Sequence, residues 1–427
     1  MQNIIAVSDS VFLYHYNELD FQAISIASVL YLIISAIGFG FSRGGQIIIA
    51  RYKGADNIAG IRKAFYSLIV FELFLAFIIF VVLQLFPSHL LGLFIDDPIL
   101  LEKGVEYILY RSYGIFFSYV GVAIIAYYTG IAKPKFIIVD TLILLGINLL
   151  FNYLFIFGKW GFPSLGMAGA GLASSIAEMV AFIVFVLYMI FESRPIVPNL
   201  LSKPVLEPAY FYEIFEISIN IVLQVIVGMG SWLIFFGVIE NLGRDELGIS
   251  NFIRLLYLML SVPTWGFASA MNTISSNLIG AKNLEEIIPV THKVATLNVA
   301  LTMLITIPIL IFPEQLLYPL FGKEDMSLIQ NSTPILRLLI LIMFLISAGS
   351  IYFDSIIGMG KTLWGFVVKL ITSVSYLLLL YYIVEYTTYG LQVAWGTEIF
   401  YWLMIIAFSY YYLFLTNWKS SLKNSFT

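Results

Sequence analysis

The stretch Tyr31-Leu32-Ile33-Ile34-Ser35-Ala36-Ile37-Gly38-Phe39-Gly40-Phe41 returns 226 residues later as Tyr257-Leu258-Met259-Leu260-Ser261-Val262-Pro263-Thr264-Trp265-Gly266-Phe267 (267 − 41 = 226). The same offset lays Gly54-Ala55-x-Asn57 on Gly280-Ala281-x-Asn283, and Pro87-x-x-Leu90-Leu91 on Pro313-x-x-Leu316-Leu317. Two residues inserted near Asp96 shift it to 228, which lays Gly130-x-x-Lys133 on Gly358-x-x-Lys361. Chance supplies Leu and Ile matches in any apolar sequence. A fixed offset across Gly, Asn, Pro and Tyr is instead the mark of a duplicated chain.

Around this repeat, apolar runs of the length needed to cross a bilayer recur from end to end. A short run, Met1–Tyr16, comes first, and the full-length ones are Phe21–Phe41, Ile61–Phe86, Val105–Tyr128, Phe136–Phe157 and Gly166–Phe191. A polar stretch follows, Glu192–Tyr210, marked by Pro195, Pro198, Pro204 and Pro208. Six further runs are Phe211–Ile239, Leu247–Asn272, Val294–Phe312, Pro334–Gly358, Leu363–Val384 and Leu391–Leu415. The expected fold is an all-α polytopic membrane protein of twelve transmembrane helices. Its parts are a six-helix lobe over 1–191, a cytoplasmic linker over 192–210 and a six-helix lobe over 211–427. An even number of spans per half makes the halves parallel, related by an axis along the membrane normal. In the repeat Met1 falls opposite Val227, so Phe211–Ile226 has no counterpart in the first span, which is expected to lack its first half.

Composition agrees. The 427 residues are 60% hydrophobic and 11% charged, whereas a soluble domain carries about 25% charged residues. There is no cysteine, which excludes disulfides, thiolate metal sites and Cys nucleophiles. His15, His89 and His292 stand far apart in polar segments, which argues against a His-based zinc site. The start lacks a basic region ahead of its apolar run, so no cleavable signal peptide is expected. Alternate loops hold fourteen basic residues: Arg43, Arg51, Lys53, Arg62, Lys63, Lys133, Lys135, Arg194, Lys203, Lys282, Lys293, Lys361, Lys419 and Lys423. The opposite loops hold four, Lys103, Lys159, Arg244 and Lys323. By the positive-inside rule both termini are expected in the cytoplasm, in a multi-pass protein of the inner (plasma) membrane.

Several short motifs, in this order and spacing, resemble the multidrug and toxic compound extrusion (MATE) family of the flippase-like exporters. They are Val7-Ser8-Asp9-Ser10-Val11-Phe12, the Gly54-Ala55 and Gly280-Ala281 pairs, Gly130-x-x-Lys133-Pro134, and Gly158 with Leu165-Gly166-Met167-Ala168-Gly169-Ala170-Gly171-Leu172-Ala173. The resemblance implies two lobes of six helices around a central cavity that opens alternately outward and inward. It also implies export of organic solutes, cationic or amphipathic, in exchange for H⁺ or Na⁺. Some branches of the family carry an acid midway along span seven. Here that stretch, Val225-Ile226-Val227-Gly228-Met229-Gly230, has none. The alternative on the same architecture is a flippase for a lipid-linked saccharide, which would call for more deep basic residues than this chain has.

A carboxylate on an apolar span costs about 2.5–3.5 kcal/mol on insertion scales, so each is a candidate for function. Asp9 matches the family's functional acid in span one. Asn148 and Asn152, one turn apart on span five, and Glu178 on span six are expected to assist it in ion coupling, with Na⁺ at Asp9 as one form of the site. Glu72, Arg254 and Glu398 are candidates for the substrate cavity. Asp354 with Lys369 reads as a structural ion pair and Asp140 as a second group of that kind, while Arg111 and Arg337 are expected to snorkel to the outer interface. Gly38-x-Gly40-x-x-x-Gly44 ends a hydrophobic span and reads as helix packing. No nucleophile–base or metal-ligand constellation is legible, and a non-enzyme without cofactor is expected. Its partners are expected to be small organic solutes and lipids, not nucleic acid, and the protein is expected to act as a monomer.

Overall fold

A computed structural model describes residues 2–192, 206–316 and 326–424. Among these residues every regular element is helical, as hydrocarbon demands of a backbone that must satisfy its own N–H and C=O groups. The first helices are α1 (Gln2–Tyr14), α2 (Glu18–Gly54), α3 (Ile58–Leu85) and the short α4 (Pro87–Leu91). A 3₁₀ turn at Ser112–Gly114 joins α5 (Pro98–Arg111) and α6 (Ile115–Gly130) into one span. Then come α7 (Lys135–Phe157) and α8 (Gly166–Glu192). The second series is α9 (Pro208–Glu240), α10 (Arg244–Gly280), α11 (Ile287–Ile311), α12 (Met326–Gly358), α13 (Thr362–Tyr386), α14 (Gly390–Tyr410) and the short α15 (Trp418–Asn424).

Eleven helical segments among the described residues are long and apolar enough to cross a membrane. The chain is a multi-pass membrane protein. α1, with 13 residues, rises about 20 Å at 1.5 Å per residue, short of a core about 30 Å thick. α2 continues well past the apolar run that ends at Phe41, because helical hydrogen bonds persist when the chain leaves lipid for water.

Two compact units divide the chain: Met1–Lys53 with Asn57–Val222, and Gly54–Asp56 with Leu223–Thr427. The division falls within α9. Most of the expected linker, 193–205, lies outside the described residues, as do Leu317 of the repeat and the outer-loop residue Lys323.

The duplication is written in the backbone as well as in the residues. Left-handed φ occurs at Asp56 (49°) and Lys282 (58°), again 226 apart, and at Ala132 (60°) and Gly360 (84°), 228 apart. Gly166 (53°) and Gly390 (72°), where α8 and α14 begin, are 224 apart. Non-glycine residues seldom adopt this conformation, so its recurrence at matched offsets marks matched turns.

Close packing of the first lobe rests on glycine. A Cβ on Gly38 would stand 2.8 Å from the Tyr119 ring, which makes this glycine series a packing surface, as its sequence context implies. On α8, a Cβ at Gly169 would lie 2.7 Å from the Phe155 carbonyl oxygen, and one at Gly171 2.5 Å from that of Tyr107. These two positions let α8 press onto α7 and α5. The polar face of α8 is thereby carried into the lobe interior.

Candidate functional site

α1 is polarised by its spacing. Val7, Val11 and Tyr14 are exposed, while Ile5, Asp9 and Leu13 recur every four residues and are buried. That stripe turns Asp9 inward, where its side chain has no exposed surface. Four neutral groups donate to it. Asn148 and Asn152 of α7 give their amide N–H groups to Oδ1 at 3.0 and 2.8 Å. Ser174 of α8 and Tyr107 of α5 give their hydroxyls to Oδ2 at 2.7 and 3.1 Å.

The two amides also reach neighbouring hydroxyls. Asn148 Nδ2 reaches Ser174 Oγ at 3.0 Å, and Asn152 Nδ2 reaches Ser8 Oγ at 3.3 Å. Among the described residues no cation pairs with Asp9. Bonds to an ionised group contribute about 1.5–3 kcal/mol each, so four of them offset the cost of holding a carboxylate in lipid. The arrangement holds the acid by neutral groups, with no fixed counter-charge among the described residues.

The oxygen Oδ1 of Asn152 is buried and has no partner. With the two Asp9 oxygens, the Asn148 amide oxygen and the Ser8 and Ser174 hydroxyls it gathers a set of hard donors. That set fits Na⁺, which prefers such oxygens. The same orphan acceptor fits a proton carried on Asp9, whose hydroxyl would need an acceptor.

Glu178 is not part of this cluster. Arg111 of α5 is wholly buried and grips it in a fork, Nη1 to Oε2 and Nη2 to Oε1, each at 2.7 Å. Gln2 closes the group, accepting from Arg111 Nη2 at 2.8 Å and donating to Glu178 Oε1 at 2.6 Å and Ser118 Oγ at 2.8 Å. The guanidinium lies 3.9 Å from the centre of the Tyr31 ring. The expected snorkelling of Arg111 is therefore overturned, because a buried carboxylate on a neighbouring helix holds its charge better than a stretch to the interface. Tyr107 and Arg111 are one turn apart on α5, and Ser174 and Glu178 one turn apart on α8. Two polar tiers result, the Asp9 cluster and the ion pair.

The other expected residues lie apart from Asp9. Glu72 is buried, takes the Ser42 hydroxyl on Oε1 at 2.7 Å, and leaves Oε2 without a partner. Asp140 is buried on the same ridge of α7 as Asn148 and Asn152, and its Oδ1 has no partner. Among the described residues it has no ion pair, which corrects its reading as one. Its ridge neighbours at four-residue spacing, Leu144 and Asn148, carry no positive charge. Asp354 accepts from Asn272 at 3.2 Å. Arg254 lies 4.8 Å from the Phe236 ring centre, Arg337 lines an open surface pocket of about 530 Å³, and Glu398 is buried in the second lobe.

Tyr107, Ser174 and Ser8 escape the sequence reading, because hydroxyls are common on apolar spans. Register alone marks the first two: Tyr107 stands one turn before Arg111, and Ser174 one turn before Glu178. Ser8 is marked by nothing but adjacency to Asp9.

Comparison with known proteins places this architecture. Over 403 residues the chain is 22% identical to "Probable multidrug resistance protein NorM" of Thermotoga maritima, covering 92% of this chain and 84% of that one. It is 21% identical over 312 residues to "Probable multidrug resistance protein YoeA" of Bacillus subtilis, covering 72% and 66%. A solved structure described as MATE in the bent conformation superposes with a TM-score of 0.88 at 18% identity, covering 99% of this chain and 93% of that one. A MOP superfamily transporter from Pyrococcus furiosus superposes with a TM-score of 0.87 at 17% identity, with the same coverage. The sequence profile MatE matches residues 1–154 and 217–383, three quarters of the length and parts of both lobes. By that match, carried on the helical frame that holds Asp9, the chain belongs to the MatE family of membrane transporters.

Proposed function

We propose that this protein exports organic solutes across the plasma membrane by alternating access, driven by the inward return of H⁺ or Na⁺, with Asp9 as the coupling residue. The observation that carries the reading is a fully buried acid, on a short apolar helix, held by four neutral donors and by no cation among the described residues. A structural acid in lipid would be expected to have a fixed counter-charge, which is what Glu178 has in Arg111. Asp9 has groups that tolerate either of its charge states.

The chemistry then follows from the donors. With Asp9 ionised, Asn148, Asn152, Ser174 and Tyr107 all point hydrogens at it. When a proton or Na⁺ arrives, those hydrogens lose part of their acceptor. The three helices α5, α7 and α8 that bring them relax against α1. An ion that favours one helix arrangement and a solute that favours another exchange through opposed affinities. Asn148 and Asn152 are positioning and ligating groups in this scheme. Glu178, with Arg111, fixes α8 against α5 and so sets where Ser174 meets Asp9.

Proteoliposomes test the reading. Efflux of a fluorescent organic cation is followed under H⁺ and Na⁺ gradients imposed separately, for wild type and Asp9→Asn. Wild type should respond to one gradient and the variant to neither, while the variant still binds the solute. Gradient-driven transport at the wild-type rate in Asp9→Asn would overturn the assignment.

A further inference from the structure

Arg337 is the one basic residue on the stretch of α12 from Ile329 to Gly358, which is long and apolar enough to span a membrane. It is exposed, and among the described residues it has no ion-pair or hydrogen-bond partner. A buried counter-charge, which accounts for Arg111, does not account for it. The guanidinium keeps its charge at any physiological pH, so on the exposed face of a spanning helix it calls for an anion. Counted back from Gly358, the roughly 20 residues that cross hydrocarbon reach Leu339. Arg337 therefore stands at the level where lipid headgroups begin.

It lines an open pocket of about 530 Å³ whose wall is divided by chemistry. Before Arg337 along α12 come Gln330 and Thr333, with Gln392 at the start of α14, and these present amides and a hydroxyl. After it come Leu338 and Leu341. The exposed stripe then continues at helical spacing, because Arg337, Leu341 and Phe344 are three to four residues apart and all exposed. A second charge borders the polar end. Gln330 Nε2 donates to Glu314 Oε1 at 3.2 Å, which sets an exposed carboxylate beyond the amide. Gln330 and Arg337 are two turns apart, about 10 Å along the helix, and an arginine side chain reaching toward the polar end closes part of that gap.

We infer that this pocket binds a zwitterionic phospholipid, with its phosphate diester on Arg337, its primary ammonium toward Glu314 and its acyl chains along Leu341 and Phe344. A guanidinium donates in a fork that matches two oxygens of one phosphate. The Gln330 and Gln392 amides and the Thr333 hydroxyl supply further donors around it. Arg337 and Glu314 sum to zero charge, as such a headgroup does. A headgroup without an amine would instead set a net negative charge beside the carboxylate. The apolar stripe distinguishes a lipid from free phosphate, which has nothing to lay along it. The inference does not rest on the export reading.

Delipidated protein in detergent is titrated with dihexanoyl phosphatidylethanolamine, and bound lipid is counted by native mass spectrometry. Dihexanoyl phosphatidylglycerol, phosphate-free dihexanoylglycerol and inorganic phosphate are the comparisons. One ethanolamine lipid should bind, with about tenfold preference over dihexanoylglycerol, the worth of a charge-assisted bond. Its preference over the glycerol headgroup should be about threefold, the worth of an exposed pair. Arg337→Gln should abolish the first preference, and Glu314→Gln the second alone. Both side chains are exposed, so both variants should melt where the unsubstituted protein does. Unchanged affinity in Arg337→Gln overturns the inference. Inorganic phosphate or dihexanoylglycerol binding as tightly as the ethanolamine lipid also overturns it. An ethanolamine preference that survives Glu314→Gln overturns the placement of the ammonium.

Discussion

The two lobes use one helical plan and fill it with opposite chemistry. In the first, helix positions at the interior carry Asp9, Asn148, Ser174 and the Arg111–Glu178 pair. In the second, the corresponding positions carry Phe235, Tyr376, Glu398 and, opposite Glu178, Trp402 (402 − 178 = 224). One interior is a hydrogen-bonded set of small polar groups; the other is a packed set of rings around one carboxylate. A duplicated scaffold needs only the backbone turns and the glycine contacts to persist. What lies between the helices is free to diverge, and in this chain it has done so.

That contrast can be broken by experiment. The largest effect is expected at Asp9, where Asp9→Asn should reduce gradient-driven transport to background while Glu398→Gln leaves the ion dependence of residual transport in place. If both variants lose ion dependence alike, ion coupling is not confined to the Asp9 cluster.

Next is the ion pair, which has no counterpart at the matched position of the second lobe. Arg111→Met leaves Glu178 buried without its counter-charge and should cost about 3–5 kcal/mol of stability. Measured as a melting temperature in detergent, the loss should be recovered in large part by the double variant Arg111→Met with Glu178→Leu. A double variant no more stable than the single would mean that the charges do more than fix helices.

A smaller change is expected at Asn152. Asn152→Ala removes a bond worth about 1.5–3 kcal/mol to the ionised, ion-free Asp9, so the ion concentration for half-maximal transport should shift about tenfold, downward if the ion is H⁺ and upward if it is Na⁺, which would lose the Asn152 Oδ1 ligand. An unmoved value would remove Asn152 from the site. The smallest effect is at the surface, where Lys419 meets Glu285 in the second lobe. Exposed pairs contribute little, and Lys419→Ala should leave both melting temperature and transport where they are.

How legible was the site? Asp9, Asn148 and Asn152 could be read because each departs from an apolar stripe, and the acid must then be useful or paired. Their meeting is what the structure adds, through bonds that span 139 and 143 positions of the chain. Glu178 shows the limit. Its spacing on α8 is as visible as that of Asn152 on α7, yet its partner comes from α5, 67 positions away. Depth along a helix can be counted in residues, but rotation toward one neighbour and not another is set by packing.

The helices and their duplication can be read from the residues alone, because in lipid the backbone has one solution and apolar length dictates where it is used. So can the difference between the lobes, since acids and rings at repeat-matched positions are read directly from the residues. Which polar groups share an interior depends on how the helices pack. Gly169 and Gly171 let α8 approach α7 and α5 closely enough for Ser174 to reach Asp9 and for Glu178 to reach Arg111. A side chain on either glycine would hold those helices apart, and the same polar residues would then face different partners.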